Sequence, residues 1–356
     1  MKKFRLATCS LLAFTSVNCF AGNHSITAIA RSGWTYKNND TKKTTTLNSS
    51  EINVDYLKLN FDGKLNDKNR YTLELNGLYA NSANDKTDNL SDFIEKVNVT
   101  RTVADTWTVS LGKLGVIAGG REWDYVSADL YTQSYFFGDL PTYRTGLTVT
   151  KEHMGQSFQF QVLNGNKDRS TGVKSQTKFG GALGYRGILF NGIVNPIIGY
   201  TMIPEAIGKT TTAGTRVKAG NDVAIAGGIE FKLPHNITFE ADYNQFTEED
   251  AAGTTTALKD LKTTSIVGLL RYKCDITNLM PFAKFIQDTV KLDSTKTGER
   301  TAYDLGIEYR QPKNEEIRYH AVYSSSSVKT NMNTTRVTSS PYSIMVGLRF
   351  DASILN

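Results

Sequence analysis

Alternation of apolar and polar side chains with a period of two restricts most strongly how this chain can fold. Across Tyr71 to Tyr79, one face carries Tyr71, Leu73, Leu75 and Tyr79, and the other Thr72, Glu74 and Asn76. Phe158, Phe160 and Val162 oppose Gln159 and Gln161 in the same way. Ile237 to Tyr243 and Tyr303 to Tyr309 repeat the pattern against Thr238, Glu240 and Asp242, and against Asp304, Gly306 and Glu308. Each segment runs about ten residues, the length of a strand that crosses a bilayer at a tilt of roughly 45°. Aromatic residues stand at the ends of the apolar faces, as at Tyr319 and Tyr323, where amphipathic rings reach headgroup depth.

The connections alternate in length. Short turns are expected at 62–70, 103–106, 152–155, 187–192, 233–236, 274–279 and 311–315. Long polar loops are expected at 37–50, 81–92, 113–140, 164–176, 204–220, 247–261, 288–298 and 325–340. Short periplasmic turns and long extracellular loops are the outer-membrane pattern, and a soluble sandwich has no reason to keep it. The expected fold is all-β: a transmembrane antiparallel β-barrel of about 16 strands. These strands are placed at 25–36, 51–61, 71–80, 93–102, 107–112, 142–151, 156–164, 177–186, 193–203, 221–232, 236–246, 262–273, 280–287, 299–310, 316–324 and 341–350. A barrel this wide cannot be filled by side chains and encloses water. It is expected to pass small hydrophilic solutes or ions, with outer-membrane lipid on its outside.

The N-terminus places the chain in an exported compartment. Lys2, Lys3 and Arg5 precede an apolar run from Leu6 to Val17, and Cys19, Phe20 and Ala21 lead to a cleavage site before Gly22. Residues 1–21 therefore read as a signal peptide and 22–356 as the barrel. The leader carries Lys2, Lys3 and Arg5 and no acid, so the net charge falls from +6 to +3, too little for nucleic-acid binding. Cys274 alone remains after cleavage and can form no internal disulfide.

The last strand presents Tyr342, Ile344, Val346, Leu348 and Phe350 on one face. It looks like the C-terminal sorting signal of outer-membrane barrels, bounded by Tyr342 and Phe350, which implies the barrel-assembly machinery as a partner. Asp351 to Asn356 follow it and leave the end of the barrel open. The runs Ser110 to Lys113, Gly119 to Glu122, Pro141 to Gly146 and Val162 to Gly165 resemble the phosphate-selective porin O/P family and related general porins. The resemblance covers about residues 51–165 and the final strand. It implies a sixteen-stranded, usually trimeric channel, here a homotrimer, narrowed by the loop at 113–140.

Arg121, Glu122 and Asp124 are then expected at the constriction, with Arg144 on the wall beside them. Such charges either set ion preference or pin the loop to the wall through salt bridges. Trp123, Phe136 and Phe137 are expected to pack the loop. By strand parity, the lumen holds Lys58, Lys96, Arg144, Arg186, Arg271, Arg318 and Arg349 against Glu74, Glu230, Glu240, Asp242, Asp304 and Glu308. That balance favours a weakly anion-leaning or unselective pore over a phosphate channel. His24, His153, His235 and His320 show no partner pattern for nucleophilic or acid–base chemistry, and no metal or cofactor motif occurs. The chain reads as no enzyme. The alternative function is a surface adhesin or receptor acting through its outer loops.

Overall fold

The computed structural model describes residues 24–38, 48–77, 93–125, 129–165, 179–204, 220–254, 257–312, 314–332 and 335–355. The expected signal peptide at 1–21 and most of the outer connections at 37–50, 81–92, 164–176 and 204–220 lie outside these residues. Seventeen strands form one sheet. They are β1 (His24–Asn38), β2 (Ser49–Asn66), β3 (Asn69–Asn76), β4 (Ile94–Ala104), β5 (Trp107–Gly115) and β6 (Tyr143–His153). Next come β7 (Gln156–Asn164), β8 (Phe179–Gly187), β9 (Val194–Pro204), β10 (Asn221–Leu233), β11 (Ile237–Thr254) and β12 (Ala257–Tyr272). The last are β13 (Leu279–Leu292), β14 (Thr295–Gln311), β15 (Asn314–Met332), β16 (Thr335–Ser339) and β17 (Tyr342–Leu355).

Each strand pairs antiparallel with its sequence neighbour, and β17 returns to β1 to close the ring. The exception is β16, which folds back on the outer end of β15 while β15 pairs β17 directly. The closed barrel therefore has 16 strands and one extra outer strand. Closure leaves no edge with unpaired backbone groups, the condition for crossing hydrocarbon with strands. Short turns set the register of several hairpins: Met154 and Gly155, and His235 and Asn236, all take positive φ. That backbone matches the right-handed twist of the strands they join.

The outer hairpins differ from the expected loops. Strand pairing continues through most of 247–261, 288–298 and 325–340, so that β11 and β12 pair as far as Thr254 and Ala257. Those segments are rich in Thr and Ser and lack apolar alternation, which marks the end of the lipid belt rather than the end of the ladder. At the C-terminus, β17 runs past Phe350 and pairs Leu355 with Ile26.

The burial pattern is inverted relative to a soluble protein. Ile52, Phe179, Ile198 and Leu305 stand exposed on the outside. Thr201, Ser265, Asp288, Asp304 and Asn244 are 1 % exposed or less and face inward. Lipid covers the outer set. Aromatic rings form bands at two heights, with Tyr36, Tyr342 and Tyr323 in one chain of contacts of 6.1 Å each and Tyr309–Tyr319 at the other end of their strands.

The seam between β1 and β17 depends on a close approach of Gly33 and Gly347. A Cβ on Gly347 would lie 2.7 Å from the Gly33 Cα. Replacing Gly347 with Val should destabilise the barrel by about 1–3 kcal/mol through overpacking. The check is the temperature at which the folded barrel loses its compact electrophoretic mobility, which should fall in Gly347→Val.

Candidate channel and its infolded loop

The connection from β5 to β6 does not stay outside. It turns into the barrel as irregular backbone that includes a short 3-10 turn, Glu122–Asp124, and a five-residue helix α1 (Tyr135–Asp139) capped by the Ser134 hydroxyl. Irregular backbone at this depth requires a partner for each N–H and C=O. The wall supplies many of them as carboxylates. Asp242 on β11 accepts from the Arg121 and Glu122 amides at 2.7 and 2.8 Å. Asp304 on β14 accepts from the Thr132 amide and hydroxyl at 3.1 and 2.6 Å, and Asp288 on β13 from the Tyr135 amide at 3.2 Å. Glu240 accepts from the Tyr125 hydroxyl and Glu308 from that of Tyr131. Burial pushes both loop phenols well above their ordinary range, so they stay protonated and donate.

The loop returns charges of its own. Glu122 is 3 % exposed and binds Lys284 of β13 at 2.7 Å, while also accepting from the Ser134 amide and hydroxyl. Asp129 meets Arg318 and Arg349 at the opposite wall, and Arg31 donates to the Leu130 carbonyl at 3.1 Å. Under these polar contacts lies an apolar cluster of Val116, Ala118, Phe136 and Leu140 from the loop with Leu163, Ala224, Ala226 and Phe246 from the wall. Gly119, at φ +77°, lies against Gly199, where a Cβ would sit 2.8 Å from the Gly199 Cα.

With the loop lying along β9 to β15, β17 and β1, open space remains on the other side. Two cavities of about 500 and 470 Å³ share Lys96, Trp123, Asp124, Thr142 and Tyr143 and so form one passage. The inner half is bounded by Ser110, Thr150, Gln159 and Arg186, the outer half by Lys58, Glu74, Asn76, Glu95 and Phe137. Its charges are tied in pairs: Lys58–Glu95 at 2.6 Å, Lys96–Glu74 at 2.5 Å and Arg186–Asp124 at 2.5 Å.

Residues 26–197 match the family model of phosphate-selective porins O and P. The chain is an outer-membrane porin. No curated protein is significantly similar to it in sequence. Among solved structures, the outer membrane channel DcaP of Acinetobacter baumannii is similar with a TM-score of 0.66 at 12 % identity, over 93 % of this chain and 97 % of that one. The anion-selective porin from Comamonas acidovorans has a TM-score of 0.62 at 13 % identity, over 93 % and 100 %. The trimer form of OmpT, an outer membrane protein of Vibrio cholerae, has a TM-score of 0.58 at 11 % identity over the same shares. At such identities the likenesses show the fold, and it is the fold of a channel.

Within the porin, the four residues expected at the constriction take different places. Asp124 lines both cavities and holds Arg186 across to the β8 wall. Glu122 is buried behind the loop, on Lys284. Arg121 donates to the Asn195 carbonyl at 2.5 Å and stands 3.7 Å from Glu230. Arg144 pairs in register with Leu114, and its neighbour Tyr143 lines the passage. Of the wall charges, Lys58, Lys96 and Glu74 lie together on the passage. Arg271 binds the Tyr125 hydroxyl at 2.6 Å next to Glu240, Asp242 holds the loop, and Arg318 binds Asp351 at 2.7 Å.

Parity reading missed Arg31, Lys284, Arg300, Asp55, Glu95 and Asp288. Asp55 and Glu95 sit at register shifts in β2 and β4, where an extra residue turns inward against the alternation. Lys284 was legible, because Ala283 and Phe285 mark the other face of β13. Each missed cation meets a carboxylate: Arg31 with Asp55, Lys284 with Glu122, Arg300 with Asp288. Breaking the Lys284 pair leaves Glu122 buried and unpaired, at a cost of about 3–5 kcal/mol. Lys284→Ala should detach the loop, giving larger and noisier single-channel conductance, whereas an unaltered current trace would show that the loop does not hang on this pair.

Proposed function

We propose that the porin allows passive diffusion of small hydrophilic solutes and ions through the passage between the infolded loop and the wall of β2 to β9, with no strong preference for charge. One observation carries the reading. The three cations on the passage, Lys58, Lys96 and Arg186, are matched by Glu74, Glu95 and Asp124. An anion channel needs cations free to replace the hydration of its solute, and here each ammonium or guanidinium already has a carboxylate. The family match on its own would favour phosphate; the paired charges favour an unselective or weakly anion-leaning pore. Asp124 and the wall charges are the residues proposed to set what ion preference there is, with Arg121 and Glu122 holding Asp124 in place from behind.

The chain is proposed to assemble as a homotrimer, as one form of the similar Vibrio cholerae protein does. Delivery by the barrel-assembly machinery through Tyr342 to Phe350 and export by the leader at 1–21 complete the proposal, with transport and no bond-breaking chemistry as the role of the inner face.

Reconstituted porin in a salt gradient should give stepwise conductance and a reversal potential near zero. Arg186→Glu leaves Asp124 facing a like charge and should shift the permeability ratio several-fold towards cations. A strongly anion-selective wild type, or a reversal potential unmoved by Arg186→Glu, would overturn this reading.

A further inference from the structure

The geometry points to a binding site for neutral polyhydroxylated solutes, mono- or disaccharides, at the waist of the passage, which Trp123 shares with Thr142 and Tyr143. The inference rests on the reading of this passage as the solute path and names the class of solute it favours. Trp123 lines both cavities. Its indole N–H is spent on the Val116 carbonyl at 3.2 Å, and its ring is held by Phe136 and Phe137 with centroids 6.2 and 5.1 Å away. What remains for a solute is a rigid aromatic plate in a conduit of mixed lining, where aliphatic groups such as Ile117 and Ile197 alternate with polar side chains. Tyr143 is spent in the same manner, with its hydroxyl between Lys58 and Glu95, so its ring also counts as surface rather than as a donor.

Around these rings stand neutral side chains with hydrogen-bonding capacity to spare. Thr142, Thr150 and Gln159 line the inner cavity, and their side chains make no hydrogen bond within the porin among the described residues. A pyranose ring has the matching chemistry: apolar C–H faces that lie on an aromatic ring and an equatorial rim of hydroxyls that exchange water for amide and hydroxyl partners. The volume of about 500 Å³ falls in the range of small-molecule sites, roughly 300–1,000 Å³.

The charges decide against other classes. A phosphate or a carboxylate must part Arg186 from Asp124, or Lys96 from Glu74, before it finds a cation. An amino-acid zwitterion must break a pair at each end. A neutral sugar leaves all the pairs intact, and it needs only the aromatic plate and the free hydroxyls and amide.

The test is sucrose added to single porin channels conducting potassium chloride in a planar bilayer, with Trp123→Ala, Trp123→Phe and Gln159→Leu as variants that are first shown to conduct. Sucrose should reduce the wild-type conductance saturably, and sodium phosphate and glycine at equal concentration should not. The half-blocking concentration should rise at least about fivefold in Trp123→Ala and less in Gln159→Leu, as expected for loss of a buried aromatic anchor against one hydrogen bond. Trp123→Phe should keep most of the block, and with Gln159→Leu it carries the comparison if Trp123→Ala does not assemble. Conductance falling only in proportion to sucrose, as viscosity dictates, overturns the inference, as does saturable block by phosphate or glycine instead. Equal block in wild type and Trp123→Ala also overturns it. A wild type that never conducts sinks the diffusion reading itself, whereas a conducting porin without saturable sucrose block removes only the sugar site.

Discussion

Irregular backbone held at membrane depth is the constraint on which the rest of this porin depends. The connection from β5 to β6 brings into the lumen amides that have no helix or sheet to bind them, and an unpaired buried amide costs as much as a lost hydrogen bond. Asp242, Asp288 and Asp304 accept those amides, and Glu240 and Glu308 take the loop's phenols. The carboxylates are thereby spent on architecture. Their counter-charges, Lys284 and Arg300, are spent on the loop as well, through Glu122 and the Gln133 carbonyl.

That allocation divides the lumen. On one side, wall and loop are locked by ion pairs and by an apolar cluster around Phe136, with little space between them. On the other, the passage keeps Lys58, Lys96 and Arg186, each answered by a carboxylate. A solute there meets small dipoles, free hydroxyls and the face of Trp123 rather than a row of bare cations. The same allocation explains how a chain that resembles phosphate-selective porins over residues 26–197 arrives at a charge-balanced path.

Much of the fold was legible in period-2 alternation because one face of each strand meets lipid and the other meets water, and side chains on a strand alternate without exception until the ladder is disturbed. The strands at 107–112 and 280–287 could be placed this way, and they appear as β5 and β13. Where the ladder is disturbed, alternation fails: Asp55 and Glu95 are extra residues at register shifts and face inward beside Arg31 and Lys58. Polarity also misled at the outer ends, where Thr- and Ser-rich segments read as loops but pair as strands beyond the lipid belt.

The sequence by itself determined the barrel, its lipid-facing surface and those inward charges that obey strict alternation, since these follow from local alternation and turn chemistry. It also marked residues 113–140 as the connection of greatest consequence and named Asp124 among its charges. Only the tertiary structure decided which charges face the passage and which are buried as fasteners. Glu122 and Asp124 lie two residues apart, yet one is sealed against Lys284 and the other stands at the waist opposite Arg186. The reason is physical: the loop crosses the lumen by contacts with strands far away in sequence, and the side of it that meets the wall is set by where those strands offer partners, a quantity no local pattern carries.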